Sequence, residues 1–302
     1  MKFDAVLIAG PTASGKSAAA MALAEQIGGV IVNADSMQVY RELRILTARP
    51  SDADMARVPH ALYGHVSVTE RYSAGRYQTD AIRALAEARE AGRIPIFTGG
   101  TGLYFGVLTD GIADIPIVPL EVHEAARQKL MLEGPEAFHA ALKARDPQTE
   151  VLPTDPQRML RAYEVFEATG RPLSHWQADN GPAVLDGLQV AKFVLNPPRV
   201  LLHERVVARF TQMIDADVLE EARSLIGLDP TLPAAKILGL RELWAFEEGK
   251  MTSRQVNEAV ITGTRQYAKR QITWFRGKMP DWIWIPQHDL SNIIAEIKSR
   301  LL

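Results

Sequence analysis

The chain has no cysteine among its 302 residues. That excludes disulfides, thiolate zinc sites and a cysteine nucleophile. It has no uninterrupted apolar run long enough for a membrane span. The apolar run near the N-terminus is short and leads straight into a glycine-rich loop, which is not a secretory pattern. Neither sign of charge dominates: 34 Lys and Arg against 36 Asp and Glu leave −2. Any nucleic-acid surface must therefore be a local patch. The 7 histidines show no His-Glu-x-x-His or comparable ligand spacing, so no structural metal is expected. There is no internal repeat and no low-complexity tract. With 47% hydrophobic residues, a chain of this size can bury a large core and is expected to hold more than one structural unit. A soluble, monomeric, cytoplasmic protein is the expectation.

Residues Gly10-Pro11-Thr12-Ala13-Ser14-Gly15-Lys16-Ser17 fit the phosphate-loop pattern G-x-x-x-x-G-K-[ST]. The context fits as well, with an apolar run, Phe3 to Ala9, before the loop and an Ala/Leu/Met-rich stretch, Ala18 to Ile27, after it. Such a loop wraps its N–H groups round a phosphate, the helix N-terminus adds positive potential, the lysine adds a full charge and the serine hydroxyl holds Mg²⁺. The competing reading is a glycine-rich turn without a ligand.

Further strand-like runs are Gly29–Val32, Ile94–Thr98, Val190–Leu195 and Trp282–Ile285. A helix is expected from Ala74 to Ala91, with Ser73 and Gly92 at its ends. This βαβ rhythm predicts an α/β fold, a P-loop NTPase-like parallel sheet core. Ligands of such sheets bind at the carboxyl ends of the strands. The phosphate loop, Asp35 and Thr101 all follow strand ends. After about Asp114 the pattern changes. A linker, Ile-Pro-Ile-Val-Pro at 115–119, precedes helical segments near 121–133, 135–145 and 156–169, the last opened by Asp155-Pro156 and closed by Gly170. Residues 115–186 therefore read as a small inserted helical domain, with 1–114 and 187–302 forming the core.

Several side chains could carry chemistry. Asp35, after Val30-Ile31-Val32-Asn33-Ala34, is a metal ligand, a general base or a turn aspartate. Thr101 follows two glycines and either donates to a ligand oxygen or caps the next helix. Arg205 and Arg209 are four apart and share a helix face, either to clamp a diphosphate or as a solvated pair. From Ala259 to Pro280 there is no acidic residue, yet Arg265, Lys269, Arg270, Arg276 and Lys278 lie there, with Tyr267, Trp274 and Phe275 interleaved. This is an RNA-binding face or a solvated basic helix.

Taken together, these segments resemble the tRNA dimethylallyltransferase (tRNA isopentenyltransferase) family. The resemblance rests on Gly10–Ser17, Asp35-Ser36-Met37-Gln38-Val39-Tyr40, Thr47-Ala48-Arg49-Pro50, Pro59-His60, Tyr72-Ser73-Ala74, Gly99-Gly100-Thr101-Gly102-Leu103-Tyr104, Asp155-Pro156-Gln157-Arg158 and 269–276. They keep the family's order along nearly the whole chain. The resemblance implies transfer of a dimethylallyl group from dimethylallyl diphosphate to N6 of the adenosine at tRNA position 37, beside the anticodon. It implies that Gly10–Ser17 holds the diphosphate, with Mg²⁺ on Ser17. Lys16, with Arg205 or Arg209, would neutralise the leaving group. Asp35 would take a proton from the adenine amine or orient it, with Thr101 hydrogen-bonding nearby. Contacts with the anticodon stem-loop are implied for Asp35, Ser36, Met37, Gln38 and Thr101. They are implied too for Gln157, Arg158, Met159, Leu160 and Arg161, for Lys236, Gly239 and Arg241, and for Lys269, Arg270, Gln271, Trp274 and Arg276.

Two positions depart from the family's pattern. Leu46 stands in place of a glycine, which predicts a different local backbone. His123 stands where an arginine often meets tRNA, which predicts a weaker or pH-dependent contact. The rival readings are prenylation of free adenine nucleotides, a small-molecule P-loop kinase, and a non-catalytic RNA-binding module. The basic stretch and the insertion speak against the first, the Gly-Gly-Thr strand end against the second and the phosphate loop against the third.

Overall fold

The structure, a computed structural model, describes residues 3–286 and 288–301. The chain divides into two compact units, Met1–Thr109 with Val184–Leu302, and Asp110–Ala183.

The larger unit is built on a parallel sheet with order β3-β2-β4-β1-β5-β6. The strands are β1 (Ala5–Ala9), β2 (Gly29–Asn33), β3 (His60–Ala61), β4 (Ile94–Gly99), β5 (Val190–Leu195) and β6 (Ile283–Ile285). Every residue of β1 and β2 is buried, because both faces of the sheet are covered by helices. Such strands read as unbroken apolar runs. On one face, Val6 and Ile8 pack with Ala19, Ala20 and Leu23 of α1 (Lys16–Ile27) and with Ile293, Ile294 and Ile297 near the C-terminus. The alternate residues point to the other face. There α3 (Ala74–Glu90) and α4 (Gly102–Thr109), which follow α2 (Asp52–Arg57), pack against the sheet, and Tyr77 stacks on Tyr104 with ring centroids 3.8 Å apart. Ser73 caps α3 by accepting from the Arg76 N–H at 3.2 Å.

The smaller unit holds α5 (Leu120–Arg145), α6 (Pro156–Thr169) and α7 (Leu173–Gln177). Gly134, at φ 77°, and Pro135 break α5 into two helices, as the sequence predicts. Its core is Ala126, Phe138, Leu142, Met159, Ala162 and Tyr163. Returning to the larger unit, the chain forms α8 (Arg199–Asp215), α9 (Val218–Arg223), α10 (Leu240–Glu247), α11 (Ser253–Lys278) and α12 (Leu290–Leu301). No helix of the described residues is long and apolar enough to cross a membrane.

The strand order positions the site. β1 and β2 are consecutive in sequence but not neighbours, because β4 lies between them. The loop after β4 therefore sits between the loop after β1 and the loop after β2.

Candidate active site

The loop after β1 bends through two left-handed residues, Ala13 at φ 66° and Gly15 at φ 91°. α1 starts at Lys16, so the first-turn N–H groups face the cradle without intrahelical partners. The Lys16 ammonium donates to the Pro11 carbonyl at 3.3 Å. Ser14 is buried, and its hydroxyl oxygen has no hydrogen-bond partner among the described residues. Ser17 is exposed.

After β2, the Asn33 side chain holds the turn. Its Oδ1 accepts from the Asp35 N–H at 2.8 Å and its amide donates to the Asp35 and Leu62 carbonyls at 2.9 and 3.1 Å. Asp35 Oδ1 accepts from the Met37 N–H at 3.0 Å. Its Oδ2 faces Gly100. Thr101 reaches across from the loop after β4. Its hydroxyl accepts from the Ser36 N–H at 2.9 Å and donates to Ser36 Oγ at 3.2 Å, while its own N–H donates to the Ala34 carbonyl at 3.2 Å. Thr101 thus braces the segment that carries Asp35.

The glycines beside Thr101 make this crossing possible. A Cβ on Gly99 would stand 2.0 Å from the Ala34 carbonyl oxygen. One on Gly100 would stand 2.2 Å from Gln271 Nε2, and one on Gly102 would stand 2.2 Å from the Trp274 ring. Each glycine admits a different neighbour, and α11 supplies two of the three.

α8 brings its two arginines to the phosphate loop with different partners. Arg205 donates to the carbonyls of Ser14 at 3.2 Å and His288 at 2.9 Å, bracing the loop from outside. Arg209 donates to the Thr47 carbonyl at 3.1 Å and shares the electrostatic neighbourhood of Lys16 and Asp35. Burial lowers the Lys16 pKa to about 8, with Arg209 pushing the same way and Asp35 opposing. Burial also lowers the Arg209 pKa, again against Asp35. Tyr63, Tyr104 and Tyr267 surround the carboxylate closely enough to feel it. Burial first, and Asp35 second, raise all three phenols above their usual range. The site is thus two cations and one carboxylate in a partly dry, tyrosine-lined setting. It suits an anionic leaving group on one side and a proton acceptor on the other. Tyr63 belongs to no motif; it follows the two-residue strand β3, which gives almost no sequence signal.

Comparison with known proteins shows the family. The IPP transferase family matches residues 38–278. The tRNA dimethylallyltransferase of Rhizobium meliloti is 47% identical over 282 residues, 92% of this chain and 93% of that protein. That of a Bradyrhizobium species is 47% identical over 300 residues, covering 98% and 97%. The chain belongs to the IPP transferase family. Among solved structures, the tRNA isopentenylpyrophosphate transferase of Bacillus halodurans matches with a TM-score of 0.69 at 29% identity, over 99% of this chain and 96% of that one. A eukaryotic dimethylallyltransferase acting on tRNA matches with a TM-score of 0.79 at 25% identity, over 98% and 77%. Those structures have the P-loop NTPase-like fold, and the six-stranded parallel sheet here is that fold.

In this IPP transferase, α11 leaves Lys269, Arg270 and Arg276 exposed. The ion pair on α11 among the described residues, Arg254 with Glu258, lies at the helix's other end. Across a groove from Arg265, Lys269 and Arg276 stand Arg199 and His203 of α8. Burial, then Arg265 and Arg199, lower the His203 pKa. Arg199 and His203 carry no motif, and only the packing of α8 on α11 adds them to the basic face. Lys236 and Arg241 are exposed, as are Gln157, Arg158 and Arg161 on α6, with Leu160 half-buried. Ser36 and Met37 are half-buried, and Gln38 spends its amide on the Thr47 and Ala48 carbonyls at 2.9 and 3.1 Å.

Three residues grouped with the RNA contacts are not on a surface. Gln271 is 5% exposed, on the inner side of α11 with Ala268 and Phe275. Met159 is 0% exposed in the core stripe of α6. Gly239 is buried ahead of α10, beside Leu46 and Val260. The motifs specify segments, while helix periodicity decides which members of a segment face inward. His123 is paired as well, its Nδ1 lying 2.8 Å from Oε1 of the buried Glu164. Leu46 does not have positive φ, so glycine is not needed there. Its N–H and those of Arg44 and Ile45 all donate to the Glu221 carboxylate at 2.7–2.9 Å.

Proposed function

We propose that this chain transfers a dimethylallyl group from dimethylallyl diphosphate to N6 of the adenosine at position 37 of tRNA, acting as a cytoplasmic monomer. The observation that carries the reading is the strand order: it sets a phosphate loop and Asp35 on either side of Thr101, next to a helix whose Lys269, Arg270 and Arg276 are exposed. A free nucleotide has no use for that helix, and the Gly-Gly-Thr end of β4 speaks against a P-loop kinase.

In the proposed reaction the adenine N6 attacks C1 of the dimethylallyl group, the C1–O bond breaks, and diphosphate departs with the bond's electron pair. The N–H groups of Gly15 to Ser17, the Lys16 ammonium and the Arg209 guanidinium offset the charge that develops on the leaving oxygen. Arg205 holds the loop in place. Asp35 takes the proton released from N6, and Thr101 keeps Asp35 facing the base. An exocyclic amine conjugated with its ring is a poor nucleophile, so positioning supplies much of the rate. The adenosine must leave its stack to reach the site. Arg199, His203, Arg265, Lys269 and Arg276 fit the RNA backbone, and the exposed face of α6 offers Gln157, Arg158 and Arg161 as further contacts, in the inserted helical domain proposed for 115–186.

Mg²⁺ fits as a companion of the diphosphate. No group of three or more carboxylates or histidines could hold a metal among the described residues, whereas the exposed Ser17 hydroxyl sits at the start of α1. Mg²⁺ commonly binds through one or two protein oxygens plus substrate phosphates. When bound there, it would supply positive charge to the phosphate oxygens.

The test has two parts. Dimethylallyl diphosphate with Mg²⁺ should raise the melting temperature and ATP with Mg²⁺ should not. A nucleoside digest of unmodified tRNA treated with protein and donor should contain adenosine carrying one C5 unit. Protection by ATP alone, with unaltered tRNA, would favour the kinase.

A further inference from the structure

Gln271 is the α11 side chain that joins both loops of the site. Its Oε1 accepts from the Thr12 N–H at 2.9 Å and its Nε2 donates to the Gly100 carbonyl at 2.8 Å. Thr12 lies in the phosphate loop, and Gly100 directly precedes the threonine that braces Asp35. The amide is buried with both ends satisfied, and Gly100 lacks a side chain where Nε2 approaches. Three residues further along, the Trp274 ring lies against Gly102. The same stretch of helix turns Lys269, Arg270 and Arg276 outward. A buried amide with fixed partners differs from an apolar side chain of equal size chiefly in direction: it sets where the Thr12 N–H and the Gly100 carbonyl point. One helix therefore carries exposed cations on one side and holds a phosphate-loop N–H on the other.

We propose that Gln271 is a positioning residue that couples RNA seated on α11 to the phosphate loop, so that RNA binding tightens the loop's hold on the diphosphate. The proposal rests on the function given above. By linkage, the diphosphate must tighten RNA binding by the same factor.

Inorganic diphosphate with Mg²⁺ serves as the probe, since it binds without turnover. In the unaltered protein, saturating unmodified tRNA should lower its Kd by about fivefold or more, the usual lower range of such couplings. Gln271→Met should bring the ratio close to one, while tRNA binding measured alone stays within about twofold. Gln271→Glu gives a second reading. At pH about 8 its carboxylate turns an oxygen against the Gly100 carbonyl and the coupling should be lost. At pH about 5 the buried carboxyl, which desolvation holds above the usual carboxylate range, takes up a proton and regains a donor, and the coupling should return. A purely structural role predicts instead an unaltered coupling ratio in every variant that stays folded. If Gln271→Met fails to fold, the pH response of Gln271→Glu decides. An unchanged ratio in folded variants, or no coupling in the unaltered protein although both ligands bind, overturns the proposal and leaves the function standing. If the unaltered protein binds neither ligand, both fail.

Discussion

In the loop from Gly10 to Ser17, Gly15 lies at φ 91°, and a Cβ there would come no nearer than 3.3 Å to a neighbour, the end of the Arg205 side chain. In Gly99 to Gly102 no glycine has positive φ, yet each would drive a Cβ into a neighbour at 2.0 to 2.2 Å. The first loop needs glycine at position 15 for backbone shape, as the proposed diphosphate cradle requires. The second needs it for closeness, so that the end of β2 and the inner face of α11 can meet at Thr101. The same residue type thus marks a left-handed bend in one place and a close crossing in the other. The crossing is what ties the carboxylate to the cradle.

If the crossing exists to hold Asp35, Asp35→Asn should lower single-turnover transfer by about a thousandfold, with tRNA affinity and melting temperature nearly unchanged. Turnover within about threefold of the unaltered protein would remove Asp35 from the chemistry. The comparison itself breaks on two alanines. Gly99→Ala should cost about 3 kcal/mol of stability by overpacking, read by urea unfolding. Gly15→Ala should cost about 1 kcal/mol from the left-handed backbone and mainly weaken diphosphate binding. Equal stability losses would mean that both loops are merely structural.

The arginines sharpen the cradle side. Arg209→Gln should lower turnover by about a hundredfold through lost charge stabilisation, and Arg205→Gln by less, with the larger part in KM. The reverse order would exchange their roles. Lys269→Ala combined with Arg276→Ala should weaken tRNA binding and reduce the salt slope by about two, one for each phosphate contact. An unchanged slope would mean that this face does not meet RNA. The smallest effect is on pH. Lys16, with its pKa lowered to about 8, is charged below that value and neutral above it in the ligand-free protein. Diphosphate affinity should therefore fall as pH rises past about 8, by at most about tenfold per pH unit. Binding there should take up a proton, measurable by calorimetry in buffers of different ionisation enthalpy. A flat profile would mean that Lys16 is not the group titrating.

Much of this was legible in the chain itself. Strands buried on both faces give unbroken apolar runs, so β1, β2, β4 and β5 can be read almost to their ends, along with the loops that follow them. Strand order cannot be read that way, since nothing local says that β4 separates β1 from β2. Nor can a hydrogen bond between residues as far apart as Thr12 and Gln271. Helical spacing places Arg205 and Arg209 on one face but does not tell the brace from the cation beside Lys16. The segment 269–276 is legible as basic, while the inward turn of Gln271 needs the packing of α11 on Gly100. Glu221 follows no motif either; its three backbone partners come from a loop more than 170 residues away in sequence.

The most direct test incubates labelled dimethylallyl diphosphate, Mg²⁺ and purified protein with unmodified tRNA, AMP, ADP and ATP together, alongside the Asp35→Asn protein. The account predicts label in tRNA, none in the nucleotides, and almost none with Asp35→Asn. Label in the free nucleotides, or in tRNA at the same rate without the carboxylate, would contradict it.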